Sequence, residues 1–174
     1  MTWIAFFSQT GSEIVRLSQT IHRIPDLIVT NNFDNSSYHP HIRMGAPIIS
    51  SSHDNLMTYF RKHTAYENPT TVITLHGYLR IVPADICSKY NIYNGHPANI
   101  EDYPDLKGKD PQEKTWSNIE KYTTIGSVVH RCTPELDGGE IISRSYVPNN
   151  VKTKEDLYQV LSECSLDAWK QFWS

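Results

Sequence analysis

Two short segments of this chain carry side chains whose types and spacing suit covalent chemistry: Asn94-Gly95-His96-Pro97 and, about forty residues later, Glu135-Leu136-Asp137-Gly138-Gly139. The first follows the apolar run Tyr90-Asn91-Ile92-Tyr93, which reads as a buried strand. On a strand, residues i and i+2 face the same side, so Asn94 and His96 should project together beyond the strand end. An amide donor beside an imidazole is what a developing oxyanion needs. A carboxylate such as Asp137 keeps an imidazole charged or well oriented. Together the three point to acyl-type transfer through a tetrahedral intermediate. Each alone is ordinary: a single histidine is usually a satisfied polar residue, and Asp-Gly-Gly is a common turn before a strand. The combination carries the reading.

These residues need a scaffold, and the chain alternates strand and helix signals. Strands are expected at Trp3–Phe7, Asp26–Thr30, Pro47–Ser50, Thr71–Leu75, Tyr90–Tyr93, Ile125–His130 and Glu140–Tyr146. Helices are expected at Glu13–His22, with Ile14, Leu17 and Ile21 at spacings of three and four, at Asp54–Lys62, at Pro83–Lys89 and at Pro111–Lys121. The last helix is the clearest. Thr153-Lys154-Glu155-Asp156 resembles a capping box, and Leu157, Val160, Leu161, Cys164, Ala168 and Phe172 form one apolar stripe. Residues 31–45 and 97–112 read as loops. The run Thr-Val-Ile-Thr-Leu at 71–75 suits a central strand buried on both faces. Alternation of this kind predicts an α/β fold: a single Rossmann-like domain over 1–174, with a mainly parallel twisted sheet flanked by helices. Ligands bind beyond the carboxyl ends of such strands. The turns at Ser8–Ser12, Gly77–Arg80 and Asn94–His96 all fall at such ends, which suggests one cleft.

Composition narrows the function classes. The chain has 174 residues, 39% hydrophobic content and a formal net charge of −3. That balance argues against general nucleic-acid binding. No run reaches the roughly 20 apolar residues of a membrane helix, and the apolar start lacks a basic segment ahead of it, so it reads as a strand. Cys87, Cys132 and Cys164 lie far apart without metal-ligand spacing, and their odd number suits a reducing, cytoplasmic setting. No metal is expected. His39-Pro40-His41 lies in a polar loop and reads as solvated, and His76 and His130 read as structural or cleft-lining.

The pieces Gly77-Tyr78-Leu79-Arg80-Ile81-Val82, Asn94-Gly95-His96-Pro97, Tyr103-Pro104-Asp105-Leu106-Lys107-Gly108, Gly126-Ser127-Val128-Val129-His130 and Glu135-Leu136-Asp137-Gly138-Gly139 occur in an order and spacing that resembles the folate-dependent formyltransferases. The likeness is to the catalytic domain shared by glycinamide ribonucleotide and methionyl-tRNA formyltransferases, and it runs from the first strand to the last helix. It implies 10-formyltetrahydrofolate as donor and Asn94, His96 and Asp137 as catalytic residues. It also implies that Leu79, Arg80, Ile81 and Val82 hold the pterin through backbone groups, that Ile92 lines its pocket, and that the loop carrying Thr133, Glu135 and Leu136 closes over it. The acceptor would be a small primary amine, phosphorylated or nucleotide-linked, met by Gly11, Ser12, Glu13 and Lys107.

The chain departs from the family at several points. Ala98 and Asn99 follow His-Pro where Ser and Leu are usual, and Glu13 stands where the ribonucleotide enzyme has Asn. The sequence stops at its last helix, so no accessory carboxyl-terminal domain is expected. A monomer or homodimer is expected. The alternatives are hydrolysis of the formyl donor and a non-catalytic folate- or nucleotide-binding module.

Overall fold

A computed structural model describes residues 1–174. The strands are β1 (Thr2–Phe7), β2 (Leu27–Thr30), β3 (Ile48–Ser50), β4 (Thr71–Leu75), β5 (Asn91–His96), β6 (Thr124–Arg131) and β7 (Ile141–Pro148). The helices are α1 (Ser12–Ile21), α2 (His53–Lys62), α3 (Ala84–Lys89), α4 (Pro111–Ser117) and α5 (Lys154–Trp173). The strand order is β3-β2-β1-β4-β5-β6-β7. The β3-β2, β2-β1, β1-β4 and β4-β5 pairs are parallel and β6-β7 is antiparallel. This is the α/β, mainly parallel sheet expected from the alternation. No helix is long and apolar enough to cross a membrane.

The chain forms two compact units, one of residues 1–94 with 132–134 and the other of residues 95–131 with 135–174. In the first, the chain leaves β1 toward β2 and β3, then returns to the other side of β1 for β4 and β5. That reversal is a topological switch point, where open α/β sheets bind ligands. Residues 3–7 of β1 are all buried, as a strand covered on both faces requires. Ile4, Phe6, Val29, Ile73, Leu75 and Ile92 pack with Leu56, Met57 and Phe60 of α2 into one core. Ser52 caps α2 through its hydroxyl, which accepts the Asn55 N–H at 3.1 Å.

In the second unit, Ile125 and Val128 of β6 pack with Leu157 and Leu161 of α5 and with Ala98, Ile100 and Leu106. The expected cap of α5 is present: Thr153 Oγ1 accepts the Asp156 N–H at 3.1 Å. The helix expected over 111–121 is interrupted. It stops at Ser117, and a separate 3-10 turn spans Ile119–Lys121. Asn118 lies outside helical dihedrals at φ −131°, and the Asn149 side-chain amide holds the carbonyls of Ile119 and Tyr122 at 2.9 and 2.8 Å. Those tertiary bonds replace the helical ladder. The segment read as a loop over 97–112 contains a 3-10 turn at Pro104–Leu106, and residues 31–45 contain another at Asn35–Ser37. Pro83 caps α3 from outside and is not part of its first turn.

Gly95, between the two candidate residues of β5, meets α5 closely. A β-carbon there would lie 2.7 Å from Trp169 Nε1 and 3.2 Å from Trp169 Cε2. Trp169 is fully buried, so any shift of its indole disturbs the packing around it. Gly95→Ala should therefore cost about 1–3 kcal/mol of stability, read as a lower urea midpoint at unchanged slope. An unchanged midpoint would show that the indole gives way.

Candidate active site

His96 closes β5, where the parallel strand gives way to the Pro97 turn. Its side chain is buried, and Nε2 lies 2.9 Å from the Leu106 carbonyl. A carbonyl only accepts, so Nε2 carries a hydrogen and Nδ1 is the nitrogen left to act. Nδ1 faces Asp137 Oδ2 at 3.6 Å. The strand end is pinned by Ser127, whose hydroxyl donates to the His96 carbonyl at 3.0 Å.

Asp137 comes from the turn between β6 and β7 and is 8% exposed. Its backbone has φ 51°, the left-handed region, which Asp enters more readily than most residues but at some cost. Its Oδ2 accepts the Gly108 N–H at 2.6 Å. Its Oδ1 lies 3.4 Å from His130 Nε2. His130 in turn has Nδ1 3.2 Å from the Arg131 carbonyl. The acid therefore stands between two buried imidazoles. Reading His130 as structural or cleft-lining did not reveal this pairing: the residue lies one position from the end of β6, and only the turn that follows folds Asp137 back onto it.

Charge in this cluster is unevenly held. Burial pushes His96 below the ordinary histidine value of 6.5; the Asp137 charge and the Leu106 carbonyl oppose it, while His130 and Lys114 add to it. Asp137 does raise the His96 pKa by proximity, as its placement suggested, but burial outweighs that contribution. Burial also pushes Asp137 up, yet the His130 hydrogen bond, the His96 charge and the Gly108 amide together hold it below the ordinary carboxylate range. The site thus holds a carboxylate favoured in its charged form beside a buried imidazole, His96, that resists its second proton.

Asn94 precedes His96 by two residues on β5 and is half-buried. In the first unit, Leu79 and Ile81 are 66% and 71% exposed, unusual for large apolar side chains. The segment that carries them is anchored. Gly77 takes φ 63°, Tyr78 is buried with its hydroxyl 2.7 Å from His53 Nδ1, and the Leu79 N–H reaches Ser8 Oγ at 2.9 Å. Burial pushes the Tyr78 phenol up to about 12, so it stays protonated as part of this anchor. Arg80 is exposed and Val82 half-buried. Ile92 is 2% exposed within the core, and its carbonyl accepts the Cys132 N–H at 2.9 Å. Thr133 is half-buried and Glu135 exposed, and Leu136 is 56% exposed.

Gly11, at φ 76°, caps α1 without a side-chain bond, and the Ser12 N–H reaches Thr10 Oγ1 at 3.2 Å. Glu13 is turned toward His76: Oε1 and Nδ1 are 2.7 Å apart, and His76 Nε2 lies 2.8 Å from Thr74 Oγ1. Lys107 is exposed, and its carbonyl accepts Lys114 Nζ at 2.8 Å.

The second unit thus carries a buried imidazole and carboxylate at the end of β5. The chain belongs to the formyl transferase family, whose profile matches residues 49–168. It is 30% identical over 113 residues to phosphoribosylglycinamide formyltransferase of Escherichia coli strain K12, a match over 63% of this chain and 51% of that protein. The match therefore spans about half the length of that relative. Solved structures share the fold at lower identity. Phosphoribosylglycinamide formyltransferase from Anaplasma phagocytophilum superposes with a TM-score of 0.80 at 21% identity, covering 99% of this chain and 85% of that one. A formyltetrahydrofolate deformylase from Pseudomonas syringae gives 0.75 at 16%, covering 98% and 59%.

The buried histidine has a consequence for stability. Its folded pKa is lowered, so below the ordinary value of 6.5 the unfolded chain binds a proton that the folded one resists. Stability is therefore greatest above that value and falls as the pH drops. His53 is lowered for the same reason, burial first and the Arg80 charge second, and adds to the slope. Melting temperature should fall between about pH 7.5 and about pH 5.5, and His96→Gln should flatten part of that fall. An unchanged slope in the variant would place the titration elsewhere.

Proposed function

We propose that this chain is an N-formyltransferase that moves a formyl group from 10-formyltetrahydrofolate to the primary amine of a small phosphorylated or nucleotide-linked acceptor. The observation that carries the reading is the buried His96–Asp137 pair, 3.6 Å apart, with Asn94 two residues earlier on the same strand. We assign the donor to Leu79, Arg80, Ile81, Val82, Ile92, Thr133, Glu135 and Leu136. We assign the acceptor to Gly11, Ser12, Glu13 and Lys107. The exposed apolar side chains of Leu79, Ile81 and Leu136 support the donor assignment, because exposed large apolar residues commonly mark binding surfaces. The three cysteines are thiols, which supports a reducing, cytoplasmic setting; we propose a monomer or homodimer there.

In this mechanism the uncharged amine attacks the formyl carbon, and a nitrogen–carbon bond forms as the carbonyl pair moves onto oxygen. The Asn94 amide and a protonated His96 donate to that oxygen. Nε2 of His96 is committed to Leu106, so the donating atom is Nδ1. The free site resists that proton because the imidazole is buried. The growing negative charge on oxygen offsets the resistance, so the positive charge arrives when it is needed. Asp137 favours the same charged form and orients the ring. The proton lost by the amine matches the one gained by the folate nitrogen as its bond to carbon breaks, leaving a formamide and tetrahydrofolate.

Asn94→Ala, His96→Ala and Asp137→Ala should each lower kcat/KM for amine formylation by about a hundredfold or more while circular dichroism stays native. The assay follows tetrahydrofolate release together with a mass gain of one CO on the amine. Near-wild-type rates in a folded His96→Ala protein would overturn the assignment. Formate released at the same rate with and without amine would replace transfer by donor hydrolysis.

A further inference from the structure

The outer nitrogens of both histidines are already occupied. His96 Nε2 lies 2.9 Å from the Leu106 carbonyl, and His130 Nδ1 lies 3.2 Å from the Arg131 carbonyl. The Leu106 carbonyl can only accept, so His96 Nε2 carries a hydrogen. The inner nitrogens, His96 Nδ1 and His130 Nε2, face the two oxygens of one carboxylate at 3.6 and 3.4 Å, and His130 hydrogen-bonds that carboxylate. Two imidazoles around one buried carboxylate favour a positive charge among them. In the proposed reaction that is a proton. A metal ion would serve the same electrostatic purpose.

We propose that His96, His130 and Asp137 form a latent site for a borderline transition-metal ion of the Zn²⁺ kind, and that the ion shuts down the reaction by displacing the proton. Three observations support it. One ligand atom from each residue lies within 4.8 Å of the others. A tetrahedral zinc ion with bonds of about 2.0–2.1 Å holds neighbouring donors roughly 3.4 Å apart, so side-chain shifts of about an ångström would seat one. The backbone carbonyls behind the rings supply the arrangement that metal-bound histidines nearly always have, with the far N–H donating to an oxygen, which fixes tautomer and ring orientation. Two imidazoles and one carboxylate leave a fourth position open, as in zinc sites that keep an exchangeable ligand. The Gly108 N–H on Asp137 Oδ2, at 2.6 Å, holds the acid in place as outer partners of metal ligands do. No sequence spacing reveals the set, because its members come from β5, β6 and the turn after β6.

Metal binding rests on this geometry alone; the loss of activity rests also on the transferase reading. The test is Zn²⁺ titration of the intact protein against a chromophoric chelator, with X-ray absorption on the loaded protein. Wild type should bind one ion with two histidine nitrogens in its shell. Folded His130→Gln and Asp137→Asn variants should each lose tenfold or more in affinity, while a His39→Ala/His41→Ala variant keeps it. Formyl transfer should fall with the same half-saturation and return on adding chelator. No stoichiometric binding by wild type would overturn the proposal. So would binding that survives in His130→Gln and Asp137→Asn, or that disappears with His39 and His41. A wild-type protein without formyl transfer would remove the functional reading while the binding measurements still decide the metal site.

Discussion

A single buried carboxylate organises the second unit of this protein. Asp137 receives the Gly108 N–H and faces an imidazole on each side. Through those three partners it ties the end of β5, the end of β6 and the segment after the Pro104–Leu106 turn into one cluster. Burying an ionised acid is costly unless its oxygens find donors or positive charge. That requirement explains why Asp137 accepts a left-handed backbone: the turn is shaped to bring the acid inward. The residue is strained and buried, and its charge is compensated locally. Such a combination is unnecessary for a plain reversal of chain direction and useful for chemistry.

The imidazole is tuned by two opposed effects. Burial disfavours its second proton, and the neighbouring acid favours it. Had the acid prevailed, the cation would already be neutralised in the resting state and less available to a growing oxyanion. In the proposed reaction, burial couples protonation to the appearance of negative charge, which would direct the stabilisation at the transition state. Two imidazoles around one buried carboxylate also make a metal ion a physically reasonable competitor for the space the proton would occupy.

Much of this was legible from residue order. Seven strands and the main helices followed from periodicity, because a strand buried on both faces and an amphipathic helix leave different hydrophobic patterns. The Thr153 cap was readable because a hydroxyl three residues before a helical amide is a local signal. The break at Asn118 was not readable, since the Asn149 amide that holds it comes from a distant part of the chain. The pairing of Glu13 with His76 was hidden for the same reason; residue order gave only a carboxylate in the first turn of α1. For Leu79 and Ile81 the resemblance implied only backbone contacts; the exposure of their side chains goes with the Gly77 turn and the anchored Tyr78.

Asn94 and His96 were assigned to one face by the two-residue period of a strand, and Asp137 was singled out by its turn; these are local rules that need no tertiary contact. Whether the acid meets the imidazole is a different matter, because that distance depends on how β6 and its turn pack beside β5. The third member, His130, and the sign of the His96 shift were decided at the same stage. Both depend on burial and on through-space approach, and neither quantity is written in the spacing of residues along a chain.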